Sequence, residues 1–166
     1  MTTTPHDDAT PAPDDAAARC AAHEAYLREH IPLAAFMQVG VLEIGADGVA
    51  VSAPLEPNIN VHGTLFGGSG AALALIAAWS LLRTRMQSEH VAGSLVVHRH
   101  QMTYLRPIAG RATARAAFAA GSDAWREFVD TLDRKGRARI VVEATLLDDA
   151  GQAGAQLTGD FVAVRR

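Results

Sequence analysis

The residues best suited to chemistry lie in one polar turn that runs directly into a long apolar segment. The turn carries the amides Asn58 and Asn60 and the imidazole of His62, and it ends on the glycine pair Gly67 and Gly68. An amide can orient a water molecule or bond a carbonyl, and an imidazole has the pKa range of a general base. Glycines let a ligand approach the backbone closely. This combination suits an anion or a carbonyl that becomes one.

The glycine pair is predicted to lie where the turn meets a helix. The segment from Phe66 to Leu82 contains no charged residue and is rich in alanine and leucine. The first N–H groups of a helix have no partner within it, and the helix dipole is positive there. The N–H groups of Gly67 and Gly68 are therefore predicted to hold a carbonyl oxygen. The alternative is that these glycines only permit a tight turn and close helix packing.

The other polar residues of the turn also have two interpretations. Asn60 and His62 are the candidates for positioning or activating water, but Asn60 could instead form an Asx-turn and His62 could be an exposed loop residue. Thr64 and Ser69 could bind a ligand or cap the helix. The predicted substrate-binding residues are Asn58, Gly63, Thr64, Leu65, Phe66, Ser69 and His100.

A second histidine pair lies further along the chain, in a stretch rich in valine and threonine. His98 and His100 alternate with Arg99, so both are predicted to share one face of a strand, together with Val96 and Tyr104. His100 is a second candidate for the base. A metal site would need a further ligand, and no metal site and no cofactor are predicted.

The composition indicates a globular enzyme or binding domain. The chain has 166 residues, of which 49% are hydrophobic and 20% charged, and its net charge of -3 gives no support for a nucleic-acid partner. Residues 1–13 are predicted to be a disordered tail and residues 14–166 a single domain. The N-terminus lacks the basic and apolar regions of a secretion signal, so a cytoplasmic location is expected. A membrane span over 66–82 is disfavoured because Gly, Ala and Ser make up more than half of it.

The remaining pattern predicts an α+β fold with an antiparallel sheet wrapped around one long central helix. A first helix begins at Asp14 or Asp15 and ends near Glu29, before Pro32. The central helix ends near Met86–Glu89, and Ser122–Leu132 fits either a short helix or a bulged connection. The predicted strands are Ala34–Ile44, Gly48–Ala53, Gly93–Leu105, Gly110–Phe118, Arg139–Leu147 and Gln156–Val164.

The run from Asn60 to Ser69, Asn-Val-His-Gly-Thr-Leu-Phe-Gly-Gly-Ser, together with Tyr-Leu-Arg-Pro ending at Pro107, resembles the hotdog-fold thioesterases of the YiiD C-terminal type. The resemblance covers roughly residues 20–164. It implies an acyl-CoA or acyl-carrier-protein thioesterase, active as a homodimer or homotetramer, with a pocket at the dimer interface and no cofactor.

The chain departs from the commoner hotdog thioesterases at the start of the central helix. Those proteins carry His-Gly-Gly there, whereas this chain has Phe66 before its glycine pair. They also carry an acid about two turns into the helix, whereas no Asp or Glu occurs from Phe66 to Gln87. Asn60, His62 and His100 are therefore the alternative candidates for the group that activates water. A protein that binds acyl thioesters or carrier protein without hydrolysis is the alternative function.

Overall fold

The fold was analysed in a computed structural model, which describes residues 13–118 and 123–165. The predicted tail, apart from Pro13, lies outside these residues. The helices are α1 (Pro13–His30), α2 (Pro32–Phe36), α3 (Gly67–Ser88) and α4 (Ala124–Lys135). The strands are β1 (Gly40–Ile44), β2 (Gly48–Ala53), β3 (Ser94–Tyr104), β4 (Ala112–Ala117), β5 (Arg137–Leu147) and β6 (Ala153–Val164).

The strands form one antiparallel sheet in the order β1-β2-β4-β5-β6-β3, which packs on the long helix α3. This arrangement is the predicted α+β hotdog fold. The buried face of α3 consists mainly of small and branched apolar side chains, because the helix lies close against the concave side of the sheet. Its buried residues are Gly70, Leu73, Ala74, Ile76, Ala77, Ala78, Ser80, Leu81, Leu82 and Met86.

The strand predicted over Ala34–Ile44 is wrong in its first part. Pro32 begins the short helix α2, and the residue before it is extended, as residues before proline usually are. Ala34 and Met37 are both buried and lie three residues apart, which is a helical spacing. The chain leaves this helix at Gln38, whose φ is 56°, and β1 begins only at Gly40.

The ambiguous segment after β4 is a helix. In α4, Trp125, Phe128 and Leu132 are buried along one stripe, and the other face is charged. This helix ends at Gly136, whose φ of 68° is the left-handed conformation that terminates many helices. Ser122, the first residue of the predicted segment, lies outside the described range, as do residues 119–121 before it.

An irregularity in β3 corrects the prediction that Val96, His98 and His100 share one face. Val97 pairs with Phe161 and Arg99 pairs with Asp160, so the strand holds one extra residue at this point. Val96 consequently pairs with Val162 and His100 with Gly159. Because neighbouring residues alternate between faces, Val96 and His100 lie on opposite faces of the sheet.

A buried polar contact joins α1 to α3. Nε2 of His23 and Oγ of Ser80 share a hydrogen bond of 2.8 Å, and both residues are buried. Next to them, the Arg83 guanidinium lies 3.9 Å from the ring centroid of Tyr26. Burial, and then the charge of Arg83, lower the pKa of His23 from 6.5 to about 4. His23 is therefore neutral in the folded protein at pH 7.

The stability of the protein is expected to fall in mild acid because of His23. Its folded-state pKa lies below its unfolded value, so the unfolded state binds more protons between about pH 6.5 and pH 4. A difference of this size corresponds to about 3 kcal/mol of unfolding free energy lost across that window. Urea unfolding at several pH values measures it. His23→Gln should flatten the pH dependence, whereas the exposed His30→Gln should not. Parallel curves for wild type and His23→Gln would contradict the assignment.

Candidate functional site

The N-terminus of α3 opens onto a cavity of about 530 Å³. The polar turn forms one wall, and the end of β3 with the chain that follows it forms another. One residue of β5 and two of β6 complete the lining. The lining residues are Asn60, His62, Thr64, Leu65, Gly67, Tyr104, Leu105, Arg106, Pro107, Ile108, Leu146, Gly154 and Ala155. The structure thus brings five of the predicted site residues together: Asn60, His62, Thr64, Leu65 and Gly67.

Asn60 organises the turn through both ends of its side chain. Its Oδ1 accepts hydrogen bonds from the backbone N–H groups of His62, at 2.8 Å, and Thr64, at 3.2 Å. Its Nδ2 donates to Oγ1 of Thr64 at 3.0 Å and to the carbonyl of Leu65 at 3.3 Å. This is the geometry of an Asx-turn, one of the two alternatives that the sequence allowed for Asn60. The amide is therefore engaged within the turn and fixes the backbone that carries His62.

Asn58 connects the turn to the core. Its side chain is only 1% exposed, and its Nδ2 donates to the carbonyls of Met37 and Pro54 at 3.0 and 2.8 Å. The backbone carbonyl of Asn58 accepts the N–H of Phe66, the residue before α3, at 2.7 Å. These contacts hold the entry to α3 against the strand layer. Asn58, which the sequence predicted to contact substrate, is not among the residues that line the cavity.

The first turn of α3 keeps its backbone donors free. The N-cap residue is Phe66, and no side chain caps the helix, so the capping alternative for Thr64 and Ser69 is not observed. The first intrahelical bond runs from the N–H of Gly70 to the carbonyl of Phe66 at 2.9 Å. Among the described residues, no acceptor bonds the N–H groups of Gly67, Gly68 or Ser69. These groups form a set of donors at the positive end of the helix dipole.

Two aromatic rings flank these donors. A Cβ built on Gly67 would lie 3.3 Å from Oη of Tyr104, and one built on Gly68 would lie 2.4 Å from Cε1 of Phe66. A side chain at either glycine would therefore require the neighbouring ring to move. The two side chains are more than half exposed, and the hydroxyl of Tyr104 donates to the carbonyl of Gly67 at 2.7 Å. A ligand that reaches the N–H groups must contact these rings.

The remaining predicted residues are distributed unevenly around the site. His62 is exposed and lines the cavity, and Gly63, with φ of 75°, forms the tip of the turn beside it. Ser69 lies in the first turn of α3 but not in the cavity lining. His100 lies four residues before Tyr104 on β3, about 13 Å away along an extended strand. The structure therefore separates His100 from the turn that holds His62.

Sequence reasoning missed the residues that close the cavity from the sheet side. Tyr104 was noted only as part of the Tyr-Leu-Arg-Pro run and of the strand face predicted to carry His98 and His100, and Ile108, Leu146, Gly154 and Ala155 carried no signal. Leu146 pairs with Ala155 between β5 and β6, and the carbonyl of Ile108 accepts the N–H of Leu65 at 2.8 Å. These neighbours depend on strand pairing across long stretches of sequence, which single residues do not reveal.

No cluster of three or more His, Cys, Asp or Glu side chains that could hold a metal ion occurs in residues 13–118 and 123–165. No helix in the same ranges is long and apolar enough to cross a bilayer.

A six-stranded antiparallel sheet around one helix, with a cavity at the start of that helix, defines the hotdog class, and known structures of this class agree. A protein of unknown function from Chlorobaculum tepidum superimposes with a TM-score of 0.82 at 29% identity, over 89% of this chain and 95% of that one. A putative thioesterase from Shewanella oneidensis gives a TM-score of 0.77 at 28% identity, over 87% and 96%. A thioesterase from Haemophilus influenzae, with a TM-score of 0.70, is 13% identical over 88% and 90%, and shares the fold.

The family follows from a match along most of the chain. Residues 20–165 match the putative thioesterase family described as yiiD C-terminal, and the chain belongs to that family. The activity associated with it is thioester hydrolysis, as the sequence predicted.

Proposed function

We propose that the protein hydrolyses acyl-CoA or acyl-carrier-protein thioesters at the cavity beside the N-terminus of α3. The observation that carries this proposal is the set of unpaired N–H groups at Gly67, Gly68 and Ser69, next to an exposed imidazole. Donors fixed in the helix need no rearrangement when negative charge develops on a carbonyl oxygen. His62 lines the same cavity and is the candidate that accepts a proton from water.

The proposed reaction uses the two groups in turn. The thioester carbonyl oxygen accepts hydrogen bonds from the first N–H groups of α3, and water adds to the carbonyl carbon. The proton lost by that water passes to His62, and a new C–O bond forms. The tetrahedral intermediate then collapses, the C–S bond breaks, and the imidazolium returns the proton to the leaving sulfur. The products are a carboxylic acid and a thiol.

The chemistry around the cavity fits an acyl thioester with a phosphorylated carrier. Val61 and Leu105 are exposed apolar residues near the turn and the end of β3, and they suit the apolar part of a substrate. Arg106 lines the cavity, and its guanidinium donates to the carbonyl of Ala153 and to Oε1 of Gln152; its remaining N–H groups suit a phosphate of coenzyme A or of a carrier's phosphopantetheine. We propose a single domain over residues 14–166 acting in the cytoplasm, where both carriers occur.

The second candidate is a module that binds acyl thioesters without cleaving them. The observation that favours it is that, among the described residues, the cavity lining holds no Asp or Glu that could activate water. The two functions differ in their products. Mass spectrometry of octanoyl-CoA incubated with the purified protein should detect octanoic acid and free coenzyme A in equal amounts. Intact octanoyl-CoA retained by the protein, without either product, would support the binding module instead.

We also propose that the protein forms a homodimer, which could pair further into a tetramer, through the free edge of β3. This strand has eleven residues, and among the described strands it pairs only with β6. Natural proteins usually protect such edges with lysine, proline or short strands, and β3 contains neither lysine nor proline. Val96 and Val97 are 56% and 45% exposed on its two faces. A second copy of β3 would cover both the edge and these side chains.

Charge placed on this edge should separate the dimer. Two copies of Val96→Lys/Val97→Lys would bring four like charges together across the two-fold axis, which we expect to raise the dimer dissociation constant by about 100-fold or more. Light scattering during size-exclusion chromatography measures the mass. The matched control is Val141→Lys, because Val141 is 51% exposed on the central strand β5. A double variant that remains dimeric would contradict the proposed edge.

A further inference from the structure

One hydroxyl that lines the cavity, that of Tyr104, has no role in the hydrolysis proposed above. Its ring lies against Cα of Gly67, and its O–H donates to the carbonyl of Gly67 at 2.7 Å. A phenol has one proton to donate, and this bond uses it. The lone pairs that remain make the Tyr104 oxygen an acceptor, directly beside the unpaired N–H groups of the helix.

Few other side chains in the cavity can accept a hydrogen bond from a ligand. The described lining contains no Asp or Glu. Oδ1 of Asn60 accepts two backbone N–H groups and the Thr64 hydroxyl, and Oγ1 of Thr64 accepts from Nδ2 of the same amide. The polar acceptor side chains of the described lining that accept no hydrogen bond are the imidazole of His62 and the hydroxyl of Tyr104. These two groups are therefore the open side-chain acceptors for a water that donates a hydrogen bond in this cavity.

We propose that Tyr104 binds the attacking water, which donates one hydrogen bond to the Tyr104 oxygen and the other to His62. This inference rests on the proposed hydrolysis. The water keeps a lone pair for the carbonyl carbon, whose oxygen is bound by the N–H groups of α3. The proton released on attack goes to His62, and Tyr104 keeps its own proton throughout. The phenol thus fixes the direction of attack in a cavity that lacks a carboxylate.

The position of the Tyr104 ring supports this role. The ring lies against Gly67, where an added Cβ would come within 3.3 Å of it and require a shift of a few tenths of an ångström. The hydroxyl is held by the carbonyl of the same residue, so one glycine orients the whole side chain relative to the helix donors. The distance between the bound water and the N–H groups is consequently set by a single rigid contact.

The test is Tyr104→Phe, which keeps the ring over Gly67 and removes only the oxygen. Thiol release is measured with acetyl-, octanoyl-, palmitoyl- and benzoyl-CoA, and kinetic constants are compared on the one that is cleaved best. We expect kcat to fall by about 10- to 100-fold, as the loss of one hydrogen bond in the transition state predicts, with KM and the melting temperature nearly unchanged. The matched control is Tyr26→Phe, since Tyr26 lies on α1 away from the cavity and should keep wild-type kcat.

Four outcomes would overturn the inference. An unchanged kcat in Tyr104→Phe would show that the oxygen holds no water in the reaction. A raised KM with unchanged kcat would mean that the oxygen accepts an N–H group of the carrier arm instead. A fall in kcat accompanied by a large loss of melting temperature would indicate a structural role. Wild-type protein that cleaves neither the four thioesters nor the corresponding acyl-carrier proteins would overturn the proposed hydrolysis itself, and the role of Tyr104 with it.

Discussion

His62→Asn is expected to lower kcat for thioester hydrolysis by about 100- to 10,000-fold, the range for removal of a general base. Among the described residues that line the cavity, His62 carries the one imidazole, and the others offer amide, hydroxyl, guanidinium and apolar groups. His62 is exposed, and its side chain makes no hydrogen bond to the described residues, so its loss should not disturb folding. Steady-state kinetics and the melting temperature of the variant measure the two effects separately.

The matched control for this prediction is His90→Asn. His90 is exposed just beyond the C-terminal end of α3, and its φ of 55° is a conformation that asparagine tolerates well. This variant should keep wild-type kcat. If His62→Asn retained more than about a tenth of wild-type kcat, the proton would have to go elsewhere, since a base contributes at least about 100-fold. His100 would then be the histidine to substitute next.

Asn60→Ala is expected to reduce kcat/KM by about 100-fold, through loss of position rather than loss of a reacting group. The amide holds the backbone of His62, Thr64 and Leu65, and its removal leaves the turn without these bonds. Because the turn also carries His62 toward the cavity, a displacement of the order of 1 Å should misplace the base. The unfolding free energy should fall by only about 1–3 kcal/mol, since the site is near the surface.

Two graded variants separate positioning from general destabilisation. Asn60→Asp keeps the acceptor for the N–H groups of His62 and Thr64 but loses the donor to the Leu65 carbonyl. Thr64→Val removes only the hydroxyl partner of the amide. Both should retain more activity than Asn60→Ala. Equal losses in all three variants, or an unfolded Asn60→Ala protein, would contradict the positioning role.

Much of the fold could be predicted because its signals are local. The segment from Phe66 to Leu82 carries no charged residue, so the sequence alone predicted that a sheet encloses this helix. The boundaries of β2 and of α3 agree closely with the predicted segments, since a Gly-containing turn precedes each of them. The error at Ala34–Phe36 arose because an apolar run of this length fits a strand or a helix equally well.

The site could be predicted only on the side formed by one continuous segment. Asn60, His62 and Gly67 lie within eight residues, so their proximity needed no knowledge of topology. Tyr104 reaches Gly67 across 37 positions, through the pairing of β3 with β6 and the packing of α3 on the sheet. The extra residue at His98 also could not be predicted from the alternation of polar and apolar residues. It moves every later residue of β3 to the opposite face of the sheet from the one that alternation predicts.

The measurement that tests the central claim most directly is thiol release by the purified wild-type protein across acyl-CoAs from acetyl to palmitoyl, together with aryl thioesters. The account predicts turnover with an optimum at one chain length or acyl type, and a strong loss of that turnover in His62→Asn. No thiol release from any of these thioesters or from the corresponding acyl-carrier proteins, alongside saturable binding of acyl-CoA, would contradict it. The cavity at the start of α3 would then be a binding site without hydrolysis.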